Sequence, residues 1–494
     1  MSDFKQKAKR GIGWTGIQSI TITLFEVIQL TILARILTPE EYGLIAIVYI
    51  VMNIGNVFSN VGLDVAIIQR KNPTINELST MYWLNVFNGL LVFAILYVSS
   101  PILSLCFKAN ELNTLIPVTS LGLIIGAFGT QFQTLLRKKL DFDILAKIKI
   151  GAAFAGTIVA VICAFAGLGV WSLVCGNLTR TIFRTIFYVI VGKKLAMLPG
   201  CHFKWHDTKG YLSFGLYRTG GLLLHLLSQR VDQIIIGIFL GPAILGYYSI
   251  AWRIAVQPIT KIDAIFQQIA FPVFSKIQDN LSRLQNYFHK SVRLFMLLIA
   301  PILFGMSAIA PIVVPLLIGD KWLPSVQIVQ ILAMYSLLRS MTGVNGSIIA
   351  AKAKVNWTFY LSLAYIFVSP ICLLIFFKIS RTAHSLAFCM LIIQLSQFSI
   401  FYFIFSRKLL QIKAKDFINF LVPIAISILM FFSIRYSMSI LGGLNQSILA
   451  LGVLIAIGIV VYIGLLYFLQ HKAFLEISFF FRDWKIQEDG LNVD

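Results

Sequence analysis

The sequence predicts an all-α polytopic membrane protein of about 14 transmembrane helices: two six-helix bundles as parallel repeats, plus two extra C-terminal helices. Three observations predict this. Apolar stretches of about 20 residues, the span of a bilayer core, recur along the whole chain. Basic residues alternate between the connecting segments in the manner of a membrane topology. One turn motif occurs twice, at corresponding places in two halves.

The 494 residues are 58% hydrophobic and 12% charged, with a mean hydropathy of +0.85. The formal charge of +21 does not signal nucleic acid, because most Lys and Arg sit in short connections between apolar runs. The six Cys form no C-x-x-C pair, which argues against a zinc site or a disulfide framework. The basic start, MSDFKQKAKR, precedes a segment too long for a removable signal peptide and lacks a small-residue cleavage site. It reads as the cytoplasmic end of a first membrane helix.

In order, the spans run at about 12–36, 42–65, 80–105, 112–136, 144–168 and 169–192, then about 211–238, 244–275, 291–318, 324–349, 355–378 and 382–406, and finally about 416–440 and 446–470. The organisation that follows is an N-terminal bundle (1–192), a cytoplasmic linker (193–210), a C-terminal bundle (211–408), two additional helices (409–470) and a cytoplasmic tail (471–494). The stretch Gln278–Lys290 is polar and reads as a short surface helix in a cytoplasmic loop. With the N-terminus in the cytoplasm, 28 of the 41 Lys and Arg fall in cytoplasmic segments and five, Arg35, Lys108, Lys321, Lys378 and Arg381, fall outside. A wrong span count would scramble that alternation, so both termini are expected in the cytoplasm.

The repeated motif is Leu37–Gly43, LTPEEYG, and Leu240–Gly246, LGPAILG. A shift of 203 positions carries Leu37, Pro39 and Gly43 onto Leu240, Pro242 and Gly246. Each copy joins a first and a second long apolar segment, which implies two similar halves. Six spans per half give both halves the same orientation, hence parallel repeats about an axis normal to the membrane.

Charges within a membrane are costly and are functional candidates by default. The spans hold eight bases, Arg180, Arg184, Arg218, Arg230, Arg253, Lys261, Arg339 and Arg435, and four acids, Glu26, Asp64, Asp232 and Asp263. Helical spacing puts Asn53, Asn56, Asn60 and Asp64 on one face of the second span and Arg218, His225, Gln229 and Asp232 on one face of the seventh. In the eighth, Arg253, Gln257 and Thr260 share a face before Pro258 bends it. The same shift maps Glu26 and Gln29 onto Gln229 and Asp232, and Asn60 and Asp64 onto Asp263 and Gln267. Single polar groups of this kind often only bond helix to helix; matched polar faces argue for a hydrated cavity between the halves. The expected substrate-binding set is Arg218, Arg253, Arg230, Lys261, Gln229, Gln257, Asn53, Asn56 and Asn60. The ion-coupling candidates are Asp64, Asp232, Asp263, Glu26 and His225. Arg180 and Arg184 share a face and either line that cavity or snorkel to the inner surface. No metal site or cofactor is expected: Asp141-Phe142-Asp143 has no catalytic domain around it, Cys201, His202 and His206 read as a solvated loop, and there is no GxxxxGK[ST].

Several stretches together resemble bacterial polysaccharide transporters, the lipid-linked oligosaccharide flippases of the multidrug/oligosaccharidyl-lipid/polysaccharide superfamily, of the colanic acid and teichuronic acid exporter type. They are LARILTPEEYGLIAI (33–47), VAIIQRK (65–71), YWLNV (82–86), LDFDILAKI (140–148), YYSIAWRIAVQP (247–258), FPVFSKIQDN (271–280), GDKW (319–322) and LLRSMTG (337–343). The resemblance implies a carrier in the bacterial cytoplasmic membrane. It would flip undecaprenyl-diphosphate-linked oligosaccharide repeat units from the inner to the outer leaflet by alternating access. It also implies a basic central cavity, contacts with a polysaccharide polymerase and glycosyltransferases, and coupling to protons or Na⁺ in some members. The excess of intramembrane Arg suits a diphosphate independently. A cation-coupled drug antiporter of the same superfamily would favour acids over bases. A polymerase or ligase would need a large outer loop or a catalytic domain, so an enzyme is not expected.

Overall fold

The computed structural model describes residues 2–60, 63–70, 73–195, 198–352, 354–411, 418–440 and 447–469. Every regular element among them is helical: α1 (Ser2–Ile36), α2 (Pro39–Asn60), α3 (Leu63–Gln69), α4 (Ile75–Phe107), α5 (Leu112–Lys138), α6 (Phe142–Phe165), α7 (Trp171–Lys194), α8 (Lys209–Leu240), α9 (Pro242–Ala255), α10 (Gln257–Lys276), α11 (Leu281–Ile318), α12 (Ser325–Ala351), α13 (Val355–Ile379), α14 (Ala383–Ser399), α15 (Arg407–Leu410), α16 (Ile418–Ile440) and α17 (Ile448–Leu469). Twelve helices among the described residues are long and apolar enough to cross a membrane. Their outward faces carry Phe87, Val98, Leu105, Val460 and Phe468, all well exposed. A water-soluble protein of this size would bury such a surface.

The chain divides into two compact units, Met1–Ser249 and Ile250–Asp494. In the first, α2 packs on α4, α5 and α8, α1 packs along α6, and α7 packs on α5 and α6. The start of α2 shows why the motif sequence nucleates a helix. The Thr38 N–H donates to Glu41 Oε2 at 2.7 Å, while the Glu41 N–H donates to Thr38 Oγ1 at 3.3 Å. This is a capping box, with Pro39 at the first helical position where no N–H is needed. Thr74 and Glu77 repeat the device at the start of α4, and Arg70 pairs with Glu77 at 2.7 Å. Lys138, ending α5, donates to the carbonyl of Ile67 at 2.9 Å and to that of Arg70. The linker after α7 is held to α4: the Trp83 indole donates to the Gly200 carbonyl at 3.0 Å, and the Gly200 N–H to Ser79 Oγ at 2.8 Å.

In the second unit, the 38-residue α11 is flanked by α12, α16 and α17. Ile426, Met430 and Ile434 of α16 and Leu454 and Leu466 of α17 bury against Leu297, Ala308 and Ile312 of α11. The Tyr462 hydroxyl donates to the Leu297 carbonyl at 2.8 Å. The last two helices are therefore bound to one long helix by apolar packing. α10 packs on α12, and α12 on α14.

The structure corrects two expectations. The eighth span, 244–275, is two helices meeting at Val256. Pro258 supplies no N–H to the ladder and its ring crowds the preceding turn, so one continuous helix is denied; Ser336 of α12 donates to the Ala255 carbonyl at 3.0 Å beside the break. Asp64 lies in the first turn of α3, and residues 61–62, between it and the Asn residues of α2, are outside the described residues. The surface helix expected at 278–290 is the start of α11, capped by Asn280, whose Oδ1 accepts from the Arg283 N–H at 3.0 Å. No Pro or Gly separates it from the apolar run that follows, so the helix continues. The expected tenth span is the helix α12, which carries Arg339, Thr342 and Asn345 and is not among the twelve strongly apolar ones.

Candidate functional site

The two copies of the turn motif meet. A Cβ added at Gly43 of α2 would fall on the carbonyl of Pro242, and one added at Gly246 of α9 would fall on the carbonyl of Pro39 and lie 3.2 Å from the Gly43 amide nitrogen. Backbone touches backbone in both directions, and only glycine allows that. The copies differ in how the turn is made. Thr38 and Glu41 cap the first, whereas Gly241 begins the second at φ 86°. Glu41 also reaches the α6–α7 turn, where a side chain at Gly169 would strike its carboxylate.

α8 and α9 meet at this turn, and a buried acid bridges them. Asp232 of α8 is fully buried, and Tyr248 of α9 donates to its Oδ2 at 2.5 Å. Its Oδ1 has no hydrogen-bond partner among the described residues. On α8, Arg230 donates to Gln233 Oε1 at 3.1 Å, and Gln229 Nε2 lies 2.5 Å from His225 Nε2. His225 is exposed, so the expected polar face of α8 spans two environments, with the acid end dry. The side chain of Arg218 lies outside the described residues. On α2, Asn53 and Asn56 are exposed and Asn60 is half-buried. Asn56 and Asn60 donate back to the carbonyls of Met52 and Asn56, at 2.8 and 3.0 Å. Glu26 is half-buried on α1.

In the second unit, Arg253 and Lys261 are half-buried and Gln257 is exposed at the start of α10. Asp263 is buried beside Ser340 and Arg339 of α12, and its Oδ1 has no hydrogen-bond partner among the described residues. The structure thus places Asp232 and Asp263 as buried acids, each with one oxygen that has no hydrogen-bond partner among the described residues. A desolvated carboxyl of this kind is suited to carry a proton or bind a cation.

One cluster was not legible in the sequence. Arg180 Nη2 of α7 donates to Gln29 Oε1 of α1 at 3.2 Å, and Thr157 Oγ1 of α6 approaches the same oxygen at 3.4 Å. The arginine is held among three helices rather than extended to the surface. Gln29 sits at the position that the repeat matches with Asp232, which was the only signal pointing to it.

A family model described as "Polysaccharide biosynthesis protein" matches residues 32–327, more than half the chain. The chain belongs to the polysaccharide biosynthesis protein family. Proteins similar to it include a membrane protein of the cps region of Klebsiella pneumoniae, 32% identical over 423 residues, covering 85% of this chain and 86% of that one. The lipopolysaccharide biosynthesis protein WzxC of Escherichia coli (strain K12) is 30% identical, with 72% of each chain covered. The teichuronic acid biosynthesis protein TuaB of Bacillus subtilis (strain 168) is 29% identical, covering 73% of this chain and 74% of that one. Among solved structures, the lipid II flippase MurJ in an inward closed conformation superposes with a TM-score of 0.76 at 13% identity, covering 94% of this chain and all of that one. A multidrug resistance transporter of the MATE family, inward-facing, gives 0.57 at 14% identity, covering 78% and 94%. The likeness to MurJ and to the MATE transporter shows the fold that this member of the polysaccharide biosynthesis family adopts, an all-α multi-pass membrane fold.

Proposed function

We propose that this protein moves undecaprenyl-diphosphate-linked oligosaccharide repeat units from the cytoplasmic to the outer leaflet of the bacterial cytoplasmic membrane by alternating access, for surface polysaccharide synthesis. The observation that carries this reading is the family match, joined by relatives named for lipopolysaccharide and teichuronic acid biosynthesis. The intramembrane charge supports it: eight bases against four acids suit an anionic cargo better than a cationic drug. We place 14 spans in the membrane, with α9–α10 and α12 as the eighth and tenth and two parallel six-helix repeats before α16 and α17. Both termini face the cytoplasm. Arg218, Arg253, Arg230 and Lys261 contact the diphosphate or acidic sugars, and Asp232 or Asp263 carries the coupling ion. Deleting the gene should abolish surface polymer and leave lipid-linked repeat units in the inner leaflet, both restored by the gene in trans. Normal polymer in the deletion strain would overturn the reading.

A further inference from the structure

α6 and α7 approach closely at small residues. A Cβ at Gly156 would lie 2.6 Å from the Gly176 carbonyl oxygen, 3.0 Å from Arg180 Cβ and 3.4 Å from Arg180 Nε. A Cβ at Gly176 would lie 2.6 Å from that of Ala160. This approach presses Arg180 against α6, at the tenth position of the 24-residue α7. At about 1.5 Å per residue that is near the middle of a bilayer core.

The guanidinium there has one neutral acceptor, Gln29 Oε1, and its Nε is buried with no hydrogen-bond partner among the described residues. Arg184 lies one helical turn further along the same face. The ionisable neighbours of Arg184 are Tyr188, Arg180 and Arg137, and those of Lys149 are Arg137 and Arg184. No carboxylate is among these neighbours. α5 and α7 end, and α6 begins, at one side of the unit. From that side, Arg137, Lys149, Arg184 and Arg180 stand at increasing depth along their helices.

Thr157 has a second neighbour. Besides facing Gln29, it lines an apolar cleft of about 320 Å³ with Phe25 and Ile28 of α1 and Phe154, Ile158 and Ile162 of α6. Ile28, Phe154, Ile158 and Ile162 are exposed on this surface. A cleft of that volume takes a short length of hydrocarbon chain. One threonine thus joins an apolar groove to an arginine held by a neutral acceptor, deep in the membrane.

We propose that Arg180, with Arg184, binds the phosphate end of a polyprenyl diphosphate while the first isoprene units of the same molecule lie in the α1–α6 cleft. A guanidinium held at mid-membrane recognises a phosphate oxygen through charge-assisted hydrogen bonds. The depth makes this a station in transit rather than a loading site. The identity of the lipid rests on the proposed function; the site itself rests on the geometry.

The test uses the full-length protein in nanodiscs, titrated with sugar-free undecaprenyl diphosphate, with inorganic pyrophosphate and with phosphatidylglycerol. Arg180→Gln should weaken undecaprenyl diphosphate binding about tenfold or more. Gln29→Glu, which keeps the arginine but supplies it with a carboxylate, should weaken it as well, and so covers the case in which Arg180→Gln does not fold. Ile158→Trp should weaken undecaprenyl diphosphate and leave pyrophosphate unchanged. Unchanged binding in the folded Arg180 and Gln29 variants would overturn the site. Equal competition by phosphatidylglycerol would overturn the assignment to the carrier lipid. These outcomes are separate from the gene-deletion phenotype, on which the proposed function stands or falls.

Discussion

Gly43 and Gly246 each stand where a side chain would strike the other motif's proline carbonyl, so the two helix starts that they belong to touch through backbone alone. The relationship is reciprocal, as a repeat with a two-fold relation would make it, and it supports the proposed parallel duplication. It also explains why both copies of the motif keep Pro and Gly four residues apart. Proline starts the helix, and one turn later glycine lets the other helix start approach it.

Replacing either glycine tests the crossing. Gly43→Ala should destabilise the protein by about 1 to 3 kcal/mol or more, as over-packing against an unyielding neighbour does. Gly246→Ala should act similarly, and the double variant should lose less than the sum, because one separation of the helices accommodates both methyls. Stability in a denaturant titration of the detergent-solubilised protein would read this. Strict additivity would show that the two positions act separately.

The cap on α2 is a local device with a local effect. Thr38→Ala should cost about 1 kcal/mol. Thr38→Ser should restore most of it, because Ser supplies the same acceptor to the Glu41 N–H.

Asp232 and Tyr248 separate folding from coupling. Tyr248→Phe removes the donor to a fully buried acid and should destabilise the fold by about 1 to 3 kcal/mol. Asp232→Asn keeps an oxygen that accepts from Tyr248 and should fold well. If Asp232 carries the coupling ion, that variant should lose the response of vesicle transport to imposed pH or Na⁺ gradients. Gradient-driven transport in Asp232→Asn would move the coupling role elsewhere, with Asp263→Asn the next variant to measure.

Topology is testable residue by residue. In a Cys-free background, a Cys at Lys321 should label from outside, and one at Lys139 only from the cytoplasmic side. Labelling of position 321 only from inside would invert the proposed orientation.

Arg253 is the descriptive test of the cargo-binding set. Arg253→Ala should abolish polymer export at normal protein level, and so should Arg218→Ala. Full export by both would exclude these residues from cargo binding.

Membrane class and helix positions were legible because hydropathy and charge alternation are properties of contiguous segments. The lipid-facing surfaces of α4 and α17 are as apolar as their sequences. The N-terminus of α2 was marked by the turn motif, because Thr38, Pro39 and Glu41 make the cap among themselves. The break at Val256 was half legible. Pro258 announced a bend, but two separate helices, with Ser336 set beside the gap, depend on how α12 packs. Helical spacing put His225 and Asp232 on one face, and they do share it; only packing makes one exposed and the other dry.

The sequence by itself determined that the chain is helical, that it lies in a membrane, where most helices start and stop, and that one turn occurs twice. Each of these is set by residues within a few positions of one another, through backbone propensity, capping and transfer from water to hydrocarbon. Only the tertiary structure decided that Gly43 meets Pro242, that Asp232 is held by Tyr248, and that Arg180 lies against Gln29 and Thr157. Those contacts join residues from 16 to 199 positions apart, and their formation depends on which small side chains let two helices approach and at what angle they then cross. Spacing along one helix ranks the candidates for a polar contact, but the partner sits on another helix, and close packing chooses it.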